Sequence, residues 1–304
     1  MVDGTAARYG GLWGRFAAYC AAHARCALPA TTETVLTYVG HLWRSHSVVA
    51  ASLKPILAAI RKRHVAAGQP NPCDHASVRE AKAGFRRAGL QYRPASKPVR
   101  VPLPAAVAWR LAELAMRSPR TRRHHLTAVV LQFWWMRRAG DITRLTLADL
   151  DVRADGSAAY QVPRHKTEAT RGLIARRMPP SVHEGVDLPF ALLTRLVADF
   201  RAGGHRPSVR LFTTCAPSAA SALVTAWLRS GLQRLRVTPS VGTVYASHSL
   251  KSGGATSANA AGVPRGAIAA LSATTEPTLA ASYITALTVP SAYDRFFFAR
   301  LLPR

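Results

Sequence analysis

Five side chains of this sequence, spread from residue 138 to residue 283, are of the types that metal-free phosphoryl chemistry needs. They are Arg138 in MRRAGDITRL, Lys166 in PRHKTEATRG, His248 and Lys251 in SHSLKSGGAT, and Tyr283 in LAASYITAL. Transesterification of a phosphodiester without a metal requires an oxygen nucleophile, cations to neutralise the pentacoordinate phosphate, and an acid for the departing oxygen. A tyrosine hydroxyl together with arginine, lysine and histidine can fill those roles if folding brings them together. The sequence contains no phosphate-binding GxxxxGK[ST] loop, HExxH pair, GxSxG elbow or CxxC pair that would support another chemistry. Cys20, Cys26, Cys73 and Cys215 lack the close spacing of a zinc site, so they are read as ordinary thiols and no metal is expected.

Each of these residues alone has a more ordinary reading. An arginine at a helix start commonly pairs with an acid such as Asp141, a hairpin lysine is commonly solvated, and a tyrosine in an apolar helix is commonly core. Their value lies in their order along the chain and in the elements predicted to carry them. A long apolar helix spans about Thr121 to Ala139 and includes Leu131, Phe133, Trp134 and Trp135, which places Arg138 at the end of a buried element. The segments AAYQVP and GLIARRMPP read as an antiparallel hairpin with Lys166 at its tip. Helices are predicted over Leu188 to Phe200, Ser218 to Leu235, Ser249 to Ala261 with a stop at Gly262, and Ala267 to Leu271. His248 stands beside a glycine-rich helix start, where backbone N–H groups favour an anion.

The first hundred residues read as helices without strands. Apolar residues recur at helical spacing in Leu12, Phe16, Cys20; in Val35, Val39, Leu42; and in Leu53, Ile56, Leu57, Ile60, His64. The third of these helices carries Lys54, Arg61 and Lys62 on its polar side, and a fourth, with Val78, Ala81 and Phe85, carries Arg86 and Arg87. Four prolines in RPASKPVRVPLP disfavour helix and mark an extended linker. The expected organisation is a helical domain over residues 1–92, a linker over 93–104 and a second domain over 105–304.

The charge balance constrains the partner. The chain holds 41 Lys plus Arg against 15 Asp plus Glu, a net charge of +26. Up to residue 100 there are 15 basic and 4 acidic residues (net +11), and beyond it 26 and 11 (net +15), so both halves carry the excess. A polyanion contacted along an extended surface fits better than a basic tail, and Lys54, Arg61, Lys62, Arg86 and Arg87 are the candidate phosphate contacts. Ribosomal assembly, heparin-like polymers and anionic membranes are the other readings of such a charge. No apolar run approaches the roughly 18 residues of a membrane span and no secretory signal is evident, so no membrane partner is expected and the nucleus or cytosol is the expected site.

In order, four segments resemble the tyrosine recombinases, and more narrowly the enzymes of DIRS-like and Crypton-like mobile elements. MRRAGDITRLTLADLDV is similar to the family's first box, with Arg138, Asp141 and Leu145 at the matching positions. Lys166 matches the hairpin lysine, SHSLKSGGATSANAAGVP matches the HxxR box with His248 in register, and Tyr283 lies 35 residues after His248, where the nucleophile is expected. The helical first part resembles the family's core-binding domain.

The resemblance implies a mainly α chain with a SAM-like core-binding domain and an α-rich catalytic domain holding a small β-hairpin or sheet, the DNA breaking-rejoining fold. It implies that Tyr283 attacks a phosphate of double-stranded DNA to give a 3'-phosphotyrosine. Arg138, His248 and Lys251 would neutralise the phosphate and Lys166 would act as acid, with no cofactor. It also implies a homo-tetramer on DNA, in which the tail SAYDRFFFARLLPR either reaches a neighbour or packs on its own chain.

Two positions depart from the family pattern. Lys251 stands where arginine is expected, and an ammonium cannot reproduce the bidentate fork of a guanidinium. In LSATTEPTLAASY a His or Trp is expected, and only Ser272, Thr274 and Thr275 are offered. The alternatives are therefore a recombinase of weakened activity, a catalytically inactive DNA-binding protein derived from one, or a type IB topoisomerase-like enzyme.

Overall fold

The computed structural model of the chain describes residues 3–48, 50–91, 98–153, 157–162, 174–178, 187–212, 215–216, 218–284 and 291–298. It divides into two compact units, Met1–Lys97 and Pro98–Arg304. Among the described residues no helix is long and apolar enough to cross a membrane.

Unit 1 is built from α1 (Asp3–Ala22), α2 (Thr32–Arg44), α3 (Ala50–Ala66) and α4 (Ala76–Gln91). Thr31 starts α2 by accepting a hydrogen bond from the Thr34 N–H at its Oγ1, 3.1 Å, satisfying a donor that has no partner within the helix. The helical repeat of the sequence becomes the core: Phe16 and Cys20 from α1, Val35, Val39 and Leu42 from α2, Leu53, Ile56, Leu57 and Ile60 from α3, and Val78 and Phe85 from α4. His64 is fully buried with both ring nitrogens committed, Nδ1 donating to the Ile60 carbonyl (2.9 Å) and Nε2 accepting from the Ala30 N–H (2.9 Å). This imidazole is therefore a structural part of unit 1.

Unit 2 begins with β1 (Val99–Arg100), which pairs in parallel with β5 (Thr243–Val244), Arg100 opposite Val244. The stretch read as linker is thus tied into unit 2 by Val99. Then follow α5 (Ala105–Met116), α6 (Arg120–Trp134), α7 (Ala139–Ile142), a 3-10 turn (Leu147–Asp149), β2 (Leu150–Val152), β3 (Ala158–Val162) and β4 (Ile174–Met178). The expected hairpin is present, Tyr160 opposite Arg176, and β2 adds a third antiparallel strand in the order β2-β3-β4. Its tip, with Lys166, lies outside the described residues.

The apolar helix expected to reach Ala139 ends earlier. Trp135 closes α6, Met136 takes a left-handed φ of 52°, and Arg138 has extended backbone at the start of α7. Apolarity continues unbroken across the break because Trp134, Trp135 and Met136 are all fully buried, so the hydrophobic pattern gives no sign of the turn.

The remaining elements are α8 (Leu188–Ala202), α9 (Ala220–Arg234), α10 (Ser247–Ala260), α11 (Arg265–Ser272), α12 (Glu276–Ser282) and α13 (Ala292–Phe298). The centre of unit 2 is α10 against α6. A side chain at Gly254 would collide with the Phe133 carbonyl of α6, and one at Gly253 with the Leu103 backbone. The glycines of SGGAT are therefore packing residues that let α10 touch two backbones. α13 closes the core from the same chain: Phe297 and Phe298 are buried, and Trp134 Nε1 donates to the Phe297 carbonyl, 3.0 Å. Of the two expectations for the tail, this is the packing on its own chain.

Candidate active site

The site forms where the start of α7, the first turns of α10 and the end of α12 meet in unit 2. Ser249 sets the start of α10, its Oγ accepting from the Ala246 N–H at 3.1 Å. Gln132 of α6 donates to the Ser247 carbonyl at 2.8 Å, which fixes this helix start against the core. His248 and Lys251, one turn apart on α10, then share a face. His248 is exposed, and its ring lies 5.4 Å from the ring of Tyr283 between centroids. Lys251 is only 1% exposed, and its Nζ stands 4.5 Å from the centre of the Tyr283 ring.

Tyr283 caps α12. Its N–H donates to the Leu279 carbonyl (3.0 Å), and its own carbonyl accepts from Thr256 Oγ1 of α10 (3.1 Å). The half-buried phenol is thus fixed through its backbone to the helix that carries His248 and Lys251.

The two adjacent arginines after α6 differ in burial. Arg138 is exposed, and its backbone N–H donates to Asp141 Oδ2, 3.3 Å. Arg137 is buried. It donates from a terminal nitrogen to the Leu271 carbonyl at 3.2 Å, and its Nε faces Asp141 Oδ2 at 3.4 Å without hydrogen-bond alignment. Asp141 also faces Arg144 at 3.4 Å, so its carboxylate pairs with Arg137 and Arg144 and accepts the backbone N–H of Arg138.

The C-terminal end of α11 collects donors from three directions. Leu271 O accepts from Arg137 and from the Tyr160 hydroxyl of β3 (3.1 Å), and Ser272 O accepts from Lys251 Nζ (3.0 Å). Helix C-termini leave carbonyls without intrahelical partners and favour cations, which is what these donors supply. Ala273 then turns the chain with a left-handed φ of 45°, and Thr274 Oγ1 accepts from Lys251 Nζ at 2.8 Å.

These cations act on one another. Burial first, then Arg138 and Arg137, push the Lys251 ammonium down from 10.5 to about 7, with Asp141 opposing. Partial burial of its ring, followed by Arg100, Lys251 and Arg138, holds His248 below its ordinary value, so at neutral pH the imidazole is mostly neutral. An anion between them would relieve this mutual repulsion.

Arg138, His248, Lys251 and Tyr283 are therefore brought together, while Lys166 falls outside the described residues. The sequence reading missed Arg100, Arg137, Tyr160 and Thr256. Arg100 reaches the site through a two-residue parallel pairing that leaves no periodic trace, and nothing in MRR tells which arginine is buried. Tyr160 alone had a signal, an aromatic at an inward position of a predicted strand; it stacks on Trp135 with ring centres 4.1 Å apart. Among the described residues there is no grouping of His, Cys, Asp and Glu that could hold a metal.

Of the proposed phosphate contacts in unit 1, Lys54, Arg61, Arg86 and Arg87 are exposed. Lys54 and Arg61 line a cleft of about 250 Å³ between α3 and α4, together with Arg79 and Lys82. Lys62 points elsewhere, with its Nζ 5.6 Å from the centre of the Tyr9 ring.

No family model and no curated protein matches the chain. Solved structures do. The Tn1549 transposon integrase in complex with transposon right end DNA superimposes with a TM-score of 0.55 over 89% of this chain and 85% of that one, at 13% identity. The same integrase in complex with circular intermediate DNA gives 0.52 over 85% and 82%, also at 13% identity. XerA recombinase covers 100% of this chain and 94% of its own at 16% identity, with a TM-score of 0.44.

Proposed function

We propose that this chain, which has the mainly helical fold of the tyrosine recombinases, is a site-specific DNA recombinase or integrase that cuts and rejoins double-stranded DNA. The observation that carries this reading is the convergence of Tyr283, His248, Lys251 and Arg138 at one place in unit 2. The Tyr283 hydroxyl gives its proton to the neutral His248 imidazole beside it, its oxygen attacks the scissile phosphorus, a tyrosyl–phosphate bond forms, the bond to the 5'-oxygen breaks, and that oxygen takes up a proton from a general acid. In this reading Arg138 and Arg100, and His248 once it carries a proton, offset the charge of the pentacoordinate phosphate. On the same reading, Lys166 supplies the proton to the 5'-oxygen as the acid. Rejoining reverses the step with a 5'-hydroxyl as nucleophile, so the bond energy is retained in the phosphotyrosyl link. The similar transposon integrase is seen with transposon DNA, and the +26 charge of this chain fits the same partner, with a tetramer as the working assembly.

One observation favours a second reading, a DNA-binding protein without turnover: Lys251 is buried and committed to Ser272 and Thr274. A nicked suicide duplex, from which the cleaved fragment diffuses away, separates the two. The wild type is expected to accumulate a covalent protein–DNA adduct and Tyr283→Phe none, while both retard labelled duplex equally. Binding by both with an adduct from neither would support the second reading.

A further inference from the structure

An arginine at position 251 would be read as a clamp on the phosphate, but the surroundings of the lysine found there suit another task. Lys251 is 1% exposed, whereas His248, Arg138 and Arg100 are exposed. Two of its three N–H bonds are directed to Ser272 O and Thr274 Oγ1, at 3.0 and 2.8 Å. Its Nζ also faces the Tyr283 ring at 4.5 Å, within the range in which a cation is attracted to an aromatic face. The ammonium is thus spent on the protein. The groups it holds are the turn between α11 and α12 and the aromatic ring that follows α12.

We propose that Lys251 is a positioning residue for the nucleophile, its ammonium clamping the Tyr283 ring to the Ser272–Thr274 turn, with Thr274 as the partner that fits an ammonium there. This rests on the recombinase reading for its consequence in catalysis, although the clamp itself is a property of the free protein. Thr256 holds the backbone of Tyr283 from the same helix, so α10 fixes the nucleophile at two points, carbonyl and ring. Thr274 then compensates for the missing guanidinium: a forked, bulkier group would have to displace the threonine hydroxyl from a nearly closed space.

The groups facing Lys251 decide what pH does. They are His248 on α10, Arg138 and Asp141 at the start of α7, Arg137 after α6, and Tyr283 after α12. Of the charged groups among them, Asp141 is the one that favours the ammonium. The ammonium loses its proton near pH 7, and the attraction to the ring is lost with it. Arginine at this position would not titrate.

The test is adduct formation on the suicide duplex by wild type, Lys251→Arg and Thr274→Val, together with a titration of the DNA-free protein labelled with [13Cε]tyrosine. Loss of positioning predicts that Lys251→Arg and Thr274→Val cleave about 10- to 100-fold more slowly than wild type while binding DNA equally. A Lys251→Arg enzyme that cleaves faster than wild type would overturn the proposal, because Lys251 would then be a poor phosphate clamp. In the titration, the Tyr283 signal, identified by its loss in Tyr283→Phe, is expected to move with a midpoint near pH 7. The movement should persist in His248→Asn and vanish in Lys251→Met. A Tyr283 signal that does not respond to Lys251 overturns the clamp. If no variant forms an adduct, the recombinase reading fails and the titration alone decides the clamp.

Discussion

On α3 and α4, Lys54, Arg61, Arg86 and Arg87 stand exposed, whereas between α6 and α10 Arg137 and Lys251 are both 1% exposed. The exposed set keeps its water and needs no acid to be stable. The buried pair requires carbonyls at the end of α11, the carboxylate of Asp141 and the face of Tyr283 to offset lost hydration. Cations on a surface attract a polyanion without deciding what happens to it. Cations held by a scaffold can orient a reacting group, and they make the fold sensitive to every partner they keep.

That contrast can be broken most severely at Asp141. Asp141→Ala leaves Arg137 buried beside Lys251 and Arg138 without its acid, and a loss of about 3–5 kcal/mol is expected in urea unfolding of unit 2. A change below 1 kcal/mol would mean that water reaches Arg137.

Lys251→Met sharpens it with the opposite sign. Below pH 7 the lysine is protonated both folded and unfolded, so the cost of burying its charge is felt in full. Between about 7 and 10.5 the folded protein releases the proton while the unfolded chain keeps it, so wild-type stability rises with pH. The methionine variant should therefore be more stable by roughly 1–3 kcal/mol below pH 7, net of two lost hydrogen bonds, with the gain fading toward pH 10.5. Melting curves at pH 6 and 9 check this, and an equal gain at both would contradict a buried ammonium.

On the exposed side, Lys54→Gln and Arg61→Gln should leave melting unchanged and weaken duplex binding by about 1 kcal/mol each. Each should lower the slope of log affinity against log salt by about 0.9 if its side chain neutralises one phosphate. Slopes from binding isotherms at several salt concentrations give the answer, and an unchanged slope would remove the α3–α4 cleft from the interface.

The smallest expected effect is at Ala273, which turns the chain after α11 at φ 45°. Ala273→Gly removes the left-handed penalty at a helix end, and a gain of up to about 1 kcal/mol in thermal unfolding is expected.

What the sequence made readable follows from this same division. The helices of unit 1 repeat a one-sided apolar pattern, and Val35, Val39 and Leu42 or Leu53, Ile56 and Ile60 became its core. Arg138, His248 and Tyr283 were readable as residue types in a fixed order, and the chain folds so that His248 and Tyr283 adjoin, with Arg138 acting on His248. The end of α6 was not readable, since Met136 breaks the helix inside an unbroken apolar stretch. Neither was Arg100, placed by a pairing with residues more than 140 positions away. The burial of Lys251 also escaped the sequence: its acceptors are a backbone carbonyl and the hydroxyl of Thr274, a residue that the sequence marks only as standing where a His or Trp is expected.

The most direct test of the account is the identity of the linked residue. A trapped adduct is digested with nuclease and trypsin, and the peptide running from Gly266 to Arg295, which contains both Tyr283 and Tyr293, is fragmented by mass spectrometry. The account predicts a nucleotide joined through its 3'-phosphate to Tyr283. A nucleotide on Tyr293, an unmodified Gly266–Arg295 peptide from the adduct, or linkage through a 5'-phosphate would contradict it.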